Sequence, residues 1–181
     1  QLERWLVDGL PAEARLCVGI TDAVAIGMLW TSTSLGPTVT LDVAEDKGWK
    51  IRVLAPVAQA IHADATHWSP KESGGALLGR ISYEHRTISI AGLVDAPTDS
   101  VRKRGRFVLG TAGLVKQLRE AHENSVGYLA FVGTWHSHPQ GGPHSGIDRE
   151  TLRKIAEDAG GLPAVSLVWT PAGLTCAVDR W

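Results

Sequence analysis

Two histidines spaced by one residue, His136 and His138, sit at the end of a run rich in aromatic and β-branched residues, YLAFVGTWH at 128–136. Strand side chains alternate between faces, so imidazoles at i and i+2 project the same way. Each can give one nitrogen to a single zinc ion at roughly 2.0–2.1 Å. PQGGP at 139–143 dictates a loop, and beyond it Asp148 stands at the start of the next helix, able to swing in as a third, oxygen ligand. Three protein ligands leave the fourth tetrahedral position to water, the arrangement of a catalytic rather than a structural site. Zinc lowers the pKa of such a water to roughly 7. Quieter readings stand beside this one. An HxH pair is common at exposed strand ends. Ser145 with Asp148 is also what a helix start looks like, an N-cap with an acid three residues on. The two roles are compatible, because a cap fixes where Asp148 points. His144 reads as a loop residue.

The elements that must position these groups follow from periodicity. Leu54, Val57, Ala58 and Ile61 lie at helical offsets within 54–67, with Pro56 tolerable only in the first turn. SPKESGG at 69–75 punctuates. ALLGRI (76–81) and TISIAGLV (87–94) predict two strands joined by the polar SYEHR. Residues 97–110 form a polar, basic connection carrying Arg102, Lys103, Arg104 and Arg106. A helix is expected near 112–123, with Leu114, Val115, Leu118 and Ala121 on one side, and another over 146–159, with Leu152, Ile155, Ala156 and Ala159 on one face. Gly160, Gly161 and Pro163 stop the latter. VSLVW (165–169) and LTCAV (174–178) predict a hairpin around TPAG. Strands mixed with helices and two hairpins point to an α+β fold with a mixed sheet.

The first fifty residues differ. Residues 16–30 are apolar with small residues, 38–43 alternate like a short strand, and 44–48 read as a polar turn. No chemistry is visible there. The expected organisation is an N-terminal segment over 1–48, the tail of a preceding domain, and a main domain over 49–181. The chain begins with Gln1 rather than Met, which suggests a piece of a longer or processed protein.

Composition excludes several classes. A formal net charge of −1 gives no support for nucleic acid or a membrane surface as partner. Apolar runs break before membrane-spanning length and no secretory signal is visible. The two cysteines, Cys17 and Cys176, are too few for a disulfide framework and fit a reducing cytosol, where both read as small buried apolar residues.

WHSHP followed by a short Gly/Pro loop and then SxxD resembles the metal motif of the JAMM/MPN metallopeptidases, which include deubiquitinating enzymes and their bacterial JAB relatives. That family carries a glutamate just before a small-residue strand running into LLG. Glu72 in KESGGALLGR (71–80) matches it; without the resemblance it would be an ordinary solvated acid beside a turn. The resemblance covers roughly residues 51–181. It implies an MPN/JAB-type mixed β-sheet flanked by helices, a fold related to that of the cytidine deaminases. It further implies one catalytic Zn2+ held by His136, His138 and Asp148, with Glu72 as general acid/base and Ser145 helping to hold the oxyanion. One departure is visible: nine residues separate His138 from Asp148, one fewer than the family usually has. SxxD is intact, so the loop at 140–144 is expected to absorb the difference.

The activity implied is cleavage after the C-terminal Gly-Gly of a ubiquitin-like modifier, either deconjugating it or maturing its precursor. The setting implied is a cytoplasmic bacterial conjugation pathway, in some cases linked to phage defence, with activating and conjugating enzymes of the same operon as further partners. A glycine tail suits a narrow groove, since it can add as a strand and only glycine tolerates close backbone approach. The basic connection 97–110 is a candidate grip on the modifier's body, and Trp135 reads as packing. Family members are sometimes fused to a ThiF-like activating domain, of which residues 1–48 could be the end, though they hold no nucleotide-binding motif. The alternative is a metal-free MPN scaffold, against which the joint presence of Glu72, His136, His138, Ser145 and Asp148 argues. A zinc deaminase would need HxE and PCxxC, and neither occurs.

Overall fold

The computed structural model describes residues 14–20, 26–32, 38–43 and 48–180, with the backbone alone for the first two spans. Most of the 1–48 segment, the side chain of Cys17 and most of the turn read at 44–48 therefore lie outside the described residues. Strands β1 (Ala14–Ile20) and β2 (Ile26–Ser32) pair antiparallel as a two-stranded sheet.

The remaining chain is built on one seven-stranded sheet. Its strands are β3 (Thr38–Asp42), β4 (Lys50–Leu54), β5 (Gly74–Ser82), β6 (Thr87–Asp95), β9 (Ala130–Ser137), β10 (Ala164–Thr170) and β11 (Gly173–Asp179), in the order β11-β10-β9-β5-β6-β4-β3. β9/β10 and β4/β6 are parallel and the other pairs antiparallel, so the sheet is mixed and the fold α+β, as expected. The sheet curls until its two edge strands, β3 and β11, come into contact.

Period-two burial fixes the faces. In β4, Ile51 and Val53 are buried while Lys50 and Arg52 are exposed. In β5 and β10, Leu77, Val165 and Leu167 point to the same side as Ile51, Ile88 and Ile90. Helix α1 (Ala55–Trp68) covers that side with Val57, Ile61 and Ala65, one helical stripe at i, i+4 and i+8, and takes Pro56 in its first turn. Each such fully buried aliphatic side chain contributes roughly 1.5–3 kcal/mol. The opposite face receives α2 (Leu114–Asn124), whose Leu114, Leu118 and Ala121 pack on Ala76, Leu78 and Val94. It also receives α3 (Gly146–Asp158), whose Leu152 and Ala156 pack with Ala164 and Ala177.

Two features escaped the periodicity. Within the basic connection, Val101–Lys103 (β7) and Arg106–Val108 (β8) form a small hairpin; three-residue strands bearing three cations between them show no hydrophobic alternation to detect. Along β9 the register with β5 slips at Val132. That bulge lets both Val132 and Trp135 pack into the α1 core, and it sets Thr134 and His136 on the opposite face. Gly133, inside the slip, has φ +146°, and a Cβ there would overlap the Val165 carbonyl. Gly133→Ala should therefore lower stability by about 3 kcal/mol or more, a positive-φ cost plus overpacking, read as a reduced urea midpoint.

Candidate metal centre

His136 lies near the end of β9, and His138 just beyond it. The ladder continues past the strand, with the His138 N–H donating to the Trp169 carbonyl of β10 at 2.8 Å. This continuity preserves the alternation and keeps both rings on the α3 side. His136 Nε2 is 3.0 Å from His138 Nε2 and 3.2 Å from Asp148 Oδ1, and His138 Nε2 is 3.6 Å from Asp148 Oδ2. A tetrahedral ion about 2.0–2.1 Å from each donor needs donors about 3.4 Å apart. Two imidazole nitrogens and a carboxylate, with one ligand atom of each within 4.8 Å of the others, are close enough to share one zinc-sized cation. Among the described residues this is the one cluster of three such donors within reach of each other.

The loop explains how the shortened spacing still closes. Gly141 and Gly142 take positive φ, +81° and +111°, which other residues adopt with difficulty. The chain thereby turns back until the Gly142 carbonyl meets His138 Nδ1 at 3.3 Å. A carbonyl only accepts, so Nδ1 carries the proton and the Nε2 lone pair is left facing His136 and Asp148.

Asp148 is fixed by a capping box at the start of α3. The Ser145 N–H donates to Asp148 Oδ2 at 2.6 Å, and the Asp148 N–H donates to Ser145 Oγ at 3.2 Å. Burial alone would push the Asp148 carboxyl up, but His136 and the Ser145 groups outweigh it and hold the carboxylate well below its ordinary range. The capping role and the donor role thus coexist in one side chain. Ser145→Ala should cost about 1 kcal/mol through the lost cap, seen as a small drop in Tm.

Glu72 lies in the turn between α1 and β5. Its carboxyl is pushed up by burial first; His138 and then His136 pull it down, Asp148 pushes it up, and the net direction is upward. Glu72, His136, His138, Ser145 and Asp148 all line one cavity of about 890 Å³. Its other walls are the 139–143 loop, the first turns of α3 and the basic hairpin through Arg104, Arg106 and Phe107. His144 stays out of the donor cluster. Its Nε2 faces the Ser166 carbonyl at 3.2 Å, and burial holds its pKa below the usual imidazole range.

Sequence reasoning passed over Ser73 and Ser137, both fully buried. The Ser73 N–H donates to Ser137 Oγ at 2.9 Å and the Ser137 N–H donates to the Ser73 carbonyl at 2.8 Å. One serine follows Glu72 and the other separates the two histidines, so this double link sets the distance between the acid and the imidazoles.

A family model for prokaryotic homologs of the JAB domain matches residues 54–179. The chain belongs to the prokaryotic JAB family. Members similar to this JAB domain include a CD-NTase/cGAS isopeptidase of Enterobacter hormaechei, 35% identical over 49% of this chain and 48% of its own length. A CD-NTase/cGAS isopeptidase of Vibrio cholerae is 29% identical over 49% and 55%. A probable metalloprotease of Sinorhizobium fredii is 29% identical over 55% and 61%. The chain spans about half the length of the curated isopeptidases it matches. The solution structure of protein DSY2949 from Desulfitobacterium hafniense shares the fold, with a TM-score of 0.50 and 16% identity over 72% of this chain and 89% of that one. These relatives support a hydrolase of the JAB family.

Proposed function

We propose that this JAB domain is a zinc-dependent isopeptidase that cuts after the C-terminal Gly-Gly of a ubiquitin-like modifier. The observation that carries the reading is the convergence of His136, His138 and Asp148, with one ligand atom of each within 4.8 Å of the others, in the cavity that also holds Glu72. Bound there, zinc would polarise the scissile carbonyl and make water nucleophilic near neutral pH. The chain's own groups do the rest. The Glu72 carboxylate takes a proton from the attacking water and delivers it to the leaving amine nitrogen. Ser145 Oγ already accepts from the Asp148 N–H, so its own hydrogen is free to donate to the developing oxyanion. Phe107, Val108, Leu109, Pro139 and Ile147 give the cavity an apolar lining, suited to exclude water around a tail without side chains.

The relatives' name, isopeptidase, ranks an isopeptide conjugate ahead of a linear precursor or a thioester, and a CD-NTase-type protein is the first conjugated target to try. The partners on this reading are the modifier, its conjugates and the activating and conjugating enzymes of a cytoplasmic bacterial pathway. Residues 1–48 are read as the end of a preceding activating domain. Among the described residues no helix is long and apolar enough to cross a membrane.

The test is incubation of the zinc-loaded protein with candidate modifiers joined through their C-terminal glycine to a lysine side chain of a reporter, followed by intact mass spectrometry. The expected product ends in Gly-Gly, disappears with a chelator and returns with added zinc. Cleavage that ignores the chelator, or that falls at other residues, would overturn the proposal.

A further inference from the structure

The proton carrier of the proposed mechanism is held by an element too small to stand alone. The Glu72 N–H donates to the Lys103 carbonyl at 2.8 Å, and the Phe107 backbone N–H lies near enough to pull against the upward shift of the Glu72 carboxyl. Both partners belong to the β7–β8 hairpin, whose strands have three residues each, and a lone two-stranded hairpin is marginal in water. It must therefore be anchored from below.

Burial along the hairpin identifies the anchor. Val101, Lys103, Arg106 and Val108 are exposed, while the cross-strand pair Arg102 and Phe107 is half-buried. The docking face thus consists of two side chains. The Phe107 ring lies where a Cβ on Gly74 would be. The Arg102 guanidinium carbon sits 4.4 Å from the Trp68 ring centroid and 5.9 Å from that of Phe107, while Arg102 Nε donates to Ser73 Oγ at 3.2 Å. The Ser73 hydroxyl donates onward to Asp64 of α1. One guanidinium thus joins the hairpin to the end of α1 and to the residue next to Glu72.

We propose that Arg102 is a positioning residue for Glu72, bolting the β7–β8 hairpin to Trp68 and Ser73 so that the Lys103 carbonyl fixes the glutamate's backbone and keeps its carboxyl on the reacting atoms. The inference rests on the reading of Glu72 as proton carrier. Arginine is required because its planar group stacks on an aromatic face while Nε donates in plane, which a lysine ammonium cannot reproduce.

Amide hydrogen exchange on the metal-free full chain tests the anchoring without catalysis. In Arg102→Ala the Glu72 amide, which donates to Lys103 of the hairpin, should exchange at least about tenfold faster, with Ser73, Ser137 and the core strands unchanged. Arg102→Lys should give the same pattern at smaller size. Turnover of a peptide ending in Gly-Gly-aminocoumarin supplies the catalytic readout: kcat lowered about tenfold or more, KM within about twofold, zinc content intact. Unaltered exchange at residue 72, full rescue by lysine, or accelerated exchange with wild-type kcat would each overturn the proposal. Turnover surviving in Glu72→Gln would instead remove the proton-carrier reading and leave the exchange result standing.

Discussion

Glu72→Gln is expected to leave one divalent ion bound per chain while lowering kcat by about 10³-fold, within the 10²–10⁴ range of a general acid–base group. The two effects separate because Glu72 lies outside the His136, His138, Asp148 cluster while sharing their cavity. The amide is close to isosteric, and the backbone bond from residue 72 to the Lys103 carbonyl is untouched, so the turn should keep its place. It cannot accept a proton from water at neutral pH. Elemental analysis beside single-turnover kinetics would check this. Equal loss of metal and rate would mean that Glu72 serves the ion directly, and full turnover would mean that it moves no proton.

His138→Ala should remove metal and activity together. It deletes one of three donors, and loses with it the Nδ1 contact that ties the ring to the Gly142 carbonyl. Ligand-supporting contacts of this kind are worth about 10–100-fold in affinity by themselves, and a lost donor costs more, so the variant should purify with little zinc and show cleavage at background. The fold should survive, since His138 belongs to none of the buried hydrophobic clusters. A thermal midpoint near that of metal-free wild type would confirm it. Normal zinc content in this variant would show that the ion is held elsewhere.

Much of the architecture was legible in the chain because its larger elements repeat a period long enough to detect. Val57 and Ile61 mark one stripe of α1, and Leu152, Ile155 and Ala156 one face of α3, close to the bounds the pattern suggests. The donor set was legible because HxH and SxxD are short-range patterns, each readable within one strand end or one helix start. What stayed hidden depends on distant partners. Ser73 and Ser137 are 64 residues apart, and nothing local distinguishes a serine that closes a buried link from one in solvent. The slip at Val132 is a property of two strands jointly. Arg102 looks like Arg104 in a run of cations; only the hairpin's alternation separates the arginine that packs inward from the one that lines the cavity.

Asp148 presents Oδ1 to His136, while its Oδ2 serves the helix cap and faces His138. The carboxylate is therefore already oriented before any cation arrives, and little ordering remains to oppose capture. On the proposed reading, stripping the ion should silence the protein while leaving its scaffold intact, and resupply should revive the same molecules without refolding.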